Sequence, residues 1–421
     1  MAMQRRDFFR LAAGAGLVCV GGLQGSTSLA LGGGVPQAAD GPYTGKFFVS
    51  FEAFGGWDST MSCDPKSSNR AYGDGDIVTA GGIRYPNVGN NAAFFNKHAE
   101  RLLIVNGIDT ASNNHDTSRM HVWTGKLDTG LPSVAALAAG SHAPHLPLSF
   151  IAEGVFTETA GVVSPSRVDN AAVLQDLSFP NLVNPADPMD LRTYHDPATE
   201  VLIADYRRER TEKVREQQKL PKFQAALDNL LAVRGGANEL EMLQSYLPDP
   251  LATDAVQRKI QIAVAAYKAG LAVSACFEHR NFDTHSDNDS QQIALLDVLL
   301  GEVDFLWEEA VRQGVSDKLV IAVGSDFSRS PGYNGGNGKD HWEITSMMFM
   351  GAGIEGNRTV GMTDDNQFAV TIDPMTLQPS SDGVRVTPEA IHKGLREVLE
   401  ISEELDARYS LGDAELVGLF G

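Results

Sequence analysis

Carboxylates and imidazoles gather at four separate places in this chain. Asp58 follows two glycines in Phe54-Gly55-Gly56-Trp57-Asp58-Ser59, where a backbone without side chains can approach a ligand or ion closely. His115 opens the run His115-Asp116-Thr117-Ser118-Arg119, which continues to Thr124-Gly125. A helix from Asp116 onward puts Ser118, Arg119 and Val122 on the face nearest His115 and turns His121 away, so His121 reads as structural. A helix N-terminus beside an arginine is a ready anion site. Phe282-Asp283-Thr284-His285-Ser286-Asp287 packs carboxylates around an imidazole at a spacing that suits a divalent cation with mixed nitrogen and oxygen donors. Ser325-Asp326-Phe327-Ser328-Arg329 is followed by the glycine-rich loop 331–338 and then by Lys339-Asp340-His341-Trp342. Taken singly, each has a plain alternative: a turn aspartate accepting local hydrogen bonds, a chance polar triplet, an incidental Asp-His pair in a solvent loop. Their convergence behind successive strands, in a chain with 10 histidines, favours a common site.

The elements that must position them are legible as apolar runs. Segments 46–54, 102–108, 146–151, 272–277, 318–323 and 346–350 read as buried strands. Helical patterns at 133–139 and 291–313 lie between several of them. Such alternation predicts an α/β fold, a doubly wound and mainly parallel sheet with helices on both faces. Ligands of such sheets sit outside the carboxyl ends of the strands, which is where all four groups fall. The interval 197–268 is charged and helical in pattern and reads as a helical insertion. Its run Arg207-Arg208-Glu209-Arg210 is a solvated helix face or, alternatively, a partner-binding surface.

Composition narrows the function further. The formal charge is −20 over 421 residues, which speaks against nucleic acid, whose binding needs clustered Lys and Arg. Beyond the N-terminus no apolar run reaches the ~20 residues of a membrane span. At the N-terminus, Arg5-Arg6 precedes Phe8-Phe9-Arg10 and a short, weakly apolar stretch, the form of a twin-arginine export signal. Residues 1–30 are therefore expected to be a cleaved leader, 31–421 one α/β domain, the export machinery a partner, and the destination periplasmic or extracellular. Proteins on this route often acquire a metal or cofactor before crossing. Cys63 and Cys276 remain in the mature chain, free to pair in an oxidising compartment or to stay buried thiols.

In this order the motifs resemble the alkaline-phosphatase/sulfatase-like superfamily, and most closely its exported branch known as domain of unknown function 1501. The resemblance spans residues 46–362 and rests on Gly55-Gly56-Trp57-Asp58, the segment from His115 to Gly125, Phe282 to His285, Ser325 to Arg329 and Asp340-His341. It implies one or two divalent cations, zinc first, with manganese, calcium or magnesium as alternatives. Asp283, His285 and His341 would form one cluster, and Asp58, Asp326 and His115 would surround a second. Arg119 and Arg329 would orient an anionic ester or a glycan-derived substrate, with Ser118 and Thr117 as the nearby hydroxyls. The implied activity is metal-assisted hydrolysis of a phosphate, sulfate or related ester.

Three departures accompany it. His115 stands where a sulfatase carries its modifiable Cys or Ser, which argues against the formylglycine type; Phe327 stands where phosphatases carry a ligating His; and the Asp-x-x-x-His motif is shortened to Asp283-Thr284-His285. The rival reading is a secreted protein without catalysis that uses the same pocket to bind a glycan or an exported partner. A third reading makes the clustered residues structural polar contacts.

Overall fold

In a computed structural model of the chain, residues 42–421 are described, except 169–174, 177, 186, 188, 221–222, 225–226, 228–236 and 414. The expected leader, 1–30, lies outside the described residues.

The strands in chain order are β1 (Phe47–Ala53), β2 (Ile77–Ala80), β3 (Ile83–Pro86), β4 (Leu102–Asp109), β5 (Phe150–Ala152), β6 (Pro165–Ser166), β7 (Ser274–His279), β8 (Leu319–Ser325), β9 (Ser328–Tyr333), β10 (Lys339–Trp342), β11 (Ile344–Gly351) and β12 (Arg358–Val360). The helices are α1 (Asn91–His98), α2 (His115–Thr124), α3 (Val134–His142), α4 (Pro197–Gln217), α5 (Ala237–Gln244), α6 (Ala255–Lys268), α7 (Asn288–Gln313), α8 (Pro388–Val398) and α9 (Glu403–Arg408).

Eight strands form one sheet in the order β12-β4-β11-β8-β1-β7-β5-β6. Its pairings are parallel except those of β11, which runs antiparallel to both β4 and β8. All six apolar runs of the sequence supply strands to this sheet. β5 begins only at Phe150, because Pro147 has no N–H for a ladder. Helices cover both faces, as alternation of strands and helices requires.

β1 is buried along its whole length and its side chains divide by period two. Phe47, Val49, Phe51 and Ala53 enter one core with residues of α6 and α7, whereas Phe48 enters the other with α2, α3 and α8. Burial of each phenylalanine contributes roughly 1.5–3 kcal/mol. Ser50 and Glu52 share the face of Phe48, which places a carboxylate inside the sheet's buried surface.

The helices of 197–268 differ from one another. On α4 only Thr211 is buried among the described residues, and its charge run sits in solvent with Arg208 paired to Asp205 and Lys213 to Glu209. α6 instead lies under the sheet, capped by the Asp254 side chain at Val256 and Gln257, with Ile260 through Tyr267 buried. No helix among the described residues is long and apolar enough to cross a membrane. Cys63 and Cys276 are both free thiols.

Parallel register aligns the carboxyl ends that matter. Ala53 at the end of β1 lies beside His279 of β7 and Ser325 of β8. β11 runs the other way, so its first residue, Ile344, meets Asp109 at the end of β4. The segments after β1, β4, β7 and β8, together with β10, which leads into β11, therefore share one edge of the sheet.

Candidate metal centre

α2 starts at this edge. Asn114 caps it by accepting from Thr117 N, and Gly125 ends it at φ +81, where an added Cβ would lie 2.9 Å from His392 Cγ. This fixes His115 at the first helical position. His115 Nδ1 is 2.6 Å from Asp326 Oδ2, and its Nε2 points toward Asp283 Oδ2 at 3.6 Å. Across the site, His341 Nδ1 meets the carbonyl of Asn113 at 2.8 Å and its Nε2 is 3.2 Å from Asp283 Oδ1. His285 Nε2 is 3.1 Å from both His341 Nε2 and Asp283 Oδ1, while its Nδ1 faces Asp340 at 3.3 Å.

Both His115 and His341 thus have Nδ1 engaged by an oxygen acceptor, which selects the tautomer with Nε2 free. One ligand atom each from His115, Asp283 and His341 lies within 4.8 Å of the others. Asp283 Oδ1 lies 3.1 Å from His285 Nε2 and 3.2 Å from His341 Nε2, and Asp283 Oδ2 lies 3.6 Å from His115 Nε2, spacings of the same order as the about 3.3 Å between ligand atoms of a tetrahedral ion. The donor set, imidazole nitrogen with one carboxylate, suits zinc or manganese. The residues fit a divalent cation.

Electrostatics favour the same conclusion. Arg329, fully buried, reaches Asp283 Oδ1 at 2.6 Å. Burial works against ionisation of Asp283, but this guanidinium holds its carboxyl below the usual range, so it stays a carboxylate. The hydrogen bond that His115 donates to Asp326 raises the pKa of His115 against the effect of burial, so a proton competes with a cation for this imidazole.

The structure regroups the expected ligands. Asp283, His285 and His341 come together as the motifs suggested, and His115 joins them. Asp326 is held by other groups: its Oδ1 accepts from Gly55 N, Gly56 N and Ser325 Oγ, and its Oδ2 accepts from His115 Nδ1. Asp58 is likewise engaged by other side chains. Fully buried, it accepts from Lys339 Nζ at 2.7 Å, Asn288 Nδ2 at 2.9 Å and Thr60 Oγ1 at 2.6 Å. Lys339 is itself 1% exposed, and its ammonium neutralises the carboxylate that a second cation would need. Among the described residues, His115, Asp283 and His341 are the group whose ligand atoms lie close enough together to hold an ion.

The expected catalytic side chains change role as well. Ser118 is buried and donates to the Ser112 carbonyl at 2.7 Å. Arg119 turns away from the site, with Nε 2.9 Å from Glu52 Oε2 and a further bond to Glu278. Arg329 donates four of its five N–H groups to the carbonyls of Gly55, Gly56 and Lys339 and to Asp283. His121, read as structural, bonds the Thr110 carbonyl at 2.8 Å.

Three participants were missed. Gln292 of α7 ties the site's floor together, accepting from Asp58 N and donating to the carbonyls of Gly56 and Phe282 and to Thr284 Oγ1. A glutamine in an amphipathic helix carries no signal of this. Lys339 was visible beside Asp340-His341, yet nothing in the sequence paired it with Asp58. Glu52, an acid inside an otherwise apolar strand, was the one detectable anomaly.

Comparison with known proteins gives a family and several distant folds. The profile described as Protein of unknown function (DUF1501) matches residues 156–379. Among solved structures, an alkaline phosphatase from the Antarctic bacterium TAB5 is 9% identical, with a TM-score of 0.38 over 86% of this chain and 100% of that one. A sulfatase from Pseudoalteromonas is 11% identical, with a TM-score of 0.37 over 90% of this chain and 72% of that one. A lipoteichoic acid synthase from Listeria monocytogenes is 8% identical, with a TM-score of 0.36 over 88% of this chain and 74% of that one. No curated protein matches the sequence.

Proposed function

The chain belongs to the family described as Protein of unknown function (DUF1501), and from that premise and the geometry at the strand ends we propose that it is an exported hydrolase of phosphate, sulfate or related anionic esters that depends on one divalent cation. The observation that carries the reading is the set of ligand-to-ligand separations among His115, Asp283, His341 and His285, together with the fixed tautomers of His115 and His341.

A cation bound there would polarise an ester oxygen and acidify a water molecule. The chain's own groups do the rest. Asp326 and the Asn113 carbonyl hold the two imidazoles with Nε2 inward. Arg329 keeps Asp283 ionised and pinned. His285, about half exposed, places its Nδ1 3.3 Å from Asp340 and its Nε2 beside Asp283 and His341. Phe54 and Phe327, whose rings lie 5.4 and 4.7 Å from that of His115, shield its inner side from water.

A second reading has its own support. Ser118 donates to the Ser112 carbonyl, and the two guanidiniums pair with Glu52, Glu278 and Asp283. That is what a protein that only binds its ligand through the cation would retain. Calorimetric titration with Zn2+ and Mn2+ after chelation, followed by turnover of aryl phosphate and aryl sulfate esters, separates the two. Binding near one equivalent with turnover supports the hydrolase; binding without turnover supports the second reading; no binding removes both.

Export by the twin-arginine route, with residues 1–30 as leader and 31–421 as the mature domain, belongs to the same proposal and rests on Arg5-Arg6 and the short apolar run. Changing both arginines to lysine should strand the precursor in the cytoplasm, and normal periplasmic recovery of that variant would refute it.

A further inference from the structure

β1 and β7 end side by side at the edge of the sheet that carries the histidine cluster. Ala53 pairs with His279, and Phe54 N donates to the His279 carbonyl at 2.8 Å. The residue that leaves β7 there is Arg280, three positions ahead of Asp283. Its guanidinium carbon lies 5.6 Å from the centre of the Phe54 ring, and that ring lies 5.4 Å from the ring of His115. The two distances keep the guanidinium within about 11 Å of the His115 imidazole. The Arg280 side chain is 51% exposed, whereas those of Arg119, Arg329 and Lys339 are 6%, 0% and 1% exposed and are paired with Glu52, Asp283 and Asp58.

Arg280 is anchored without being used up. Its Nε donates to Glu278 Oε1, and Glu278, 4% exposed, is itself fixed through Oε2 by Arg119 and by Val155 N at 3.0 Å. The two terminal nitrogens of Arg280 have no hydrogen-bond partner among the described residues. A guanidinium tethered at Nε presents its outer N–H groups as a planar fork, the geometry that takes a carboxylate, sulfate or phosphate through two parallel hydrogen bonds. Between this fork and His115 lies the partly exposed Phe54 ring, an apolar surface for the organic part of a ligand whose ester end sits on the ion. With a formal charge of −20 the protein repels anions at long range, so a preference for a second anionic group needs a local contact of this kind.

We infer that Arg280 makes the site selective for esters whose organic part carries a second anionic group, a carboxylate or a further sulfate or phosphate. The inference rests on the ion-dependent reading of the site, so its test separates the two. The probes are 4-(phosphonomethyl)benzoate and 4-(phosphonomethyl)benzamide, stand-ins for an aryl phosphate ester that cannot be hydrolysed, matched in shape and different by one charge. Binding to the zinc-loaded protein is measured by calorimetry at low salt. The wild type should bind the benzoate about fivefold more tightly than the benzamide, the scale of a bidentate ion pair at a half-exposed position. Arg280→Gln should abolish that preference and leave the benzamide affinity unchanged, and Arg280→Lys should retain part of it. Arg385→Gln removes another exposed guanidinium at this edge, one paired with Asp109 at the end of β4, and should keep the preference whole. A purely structural role for Arg280 would lower both affinities together and leave their ratio alone. Equal wild-type affinity for the two probes, or a preference that survives Arg280→Gln, overturns the inference while the ion-dependent reading stands. Failure of the zinc-loaded protein to bind either probe defeats that reading and this inference with it.

Discussion

Asp326 accepts from the backbone N–H groups of Gly55 and Gly56 through one oxygen and holds His115 Nδ1 at 2.6 Å through the other. A single carboxylate at the end of β8 therefore joins the turn after β1 to the first residue of α2. Its position comes from parallel register, which sets Ser325 beside Ala53. The glycine turn can meet it because Gly55 and Gly56 adopt φ +118 and +84, conformations that only glycine enters freely.

This relationship predicts the effect of Asp326→Asn. An asparagine that keeps its oxygen on the glycine amides must turn its NH2 toward His115 Nδ1. The imidazole then accepts at Nδ1 and carries its proton on Nε2, the atom that faces Asp283. Affinity for zinc should fall by about 10–100-fold, the range typical for loss of such an orienting partner, with the melting temperature of the metal-free protein changed far less. Equal zinc affinity in wild type and variant, measured calorimetrically, would show that Asp326 does not set the tautomer.

The raised pKa of His115 gives two pH dependences of opposite sign. In the metal-free protein the folded state binds the His115 proton more tightly than the unfolded chain does. Its contribution to stability is fully present below the unfolded value, near 6.5, and is lost as pH rises through the folded value. Zinc needs the neutral imidazole, so the stabilisation zinc adds grows as pH rises through that window. Melting temperatures from pH 5.5 to 8.5, with chelator and with zinc, should diverge upward in pH. Parallel curves would remove His115 from the ligand set.

The buried Asp58–Lys339 pair should behave as structure rather than as a metal site. Removing one partner leaves an uncompensated charge, so Lys339→Met should cost about 3–5 kcal/mol. Combining Lys339→Met with Asp58→Asn removes both charges and should recover a large part of that loss. Metal stoichiometry should stay near one in Asp58→Asn, read by elemental analysis and chemical denaturation together. A drop to zero would restore Asp58 to the ligands.

The sheet was legible because its central strands β1, β4 and β8 are fully buried and mainly apolar, with period-two packing in β1 splitting Phe47 and Phe48 between two cores. The gathering of Asp283, His285 and His341 was legible because the first two follow β7 and the third lies just ahead of the apolar run that forms β11. What could not be read was the assignment of charges to partners. Nothing in one sequence distinguishes an aspartate that grips an ion from one that grips an imidazole, as Asp326 does, or an ammonium, as Asp58 does. Arg119 and Arg329 looked like anion clamps for the same reason. Their acceptors, Glu52, Glu278 and the Gly55-Gly56 carbonyls, come from strands that only the folded register brings near.

Arg329 gives the sharpest test of that last distinction. Fully buried, its guanidinium bonds the carbonyls of Gly55, Gly56 and Lys339 and the carboxylate of Asp283. A lysine keeps the charge but offers one compact ammonium in place of a planar fork, so it can follow Asp283 or the glycine carbonyls but not both. Arg329→Lys should therefore lose about 2–4 kcal/mol of stability through unsatisfied buried carbonyls and should also weaken zinc binding by loosening Asp283. If Arg329 were instead an anion clamp reaching substrate, the same change would leave stability and zinc affinity intact and raise KM alone. Urea denaturation and zinc calorimetry on the one variant decide between a residue that holds the metal centre's frame and one that holds a ligand.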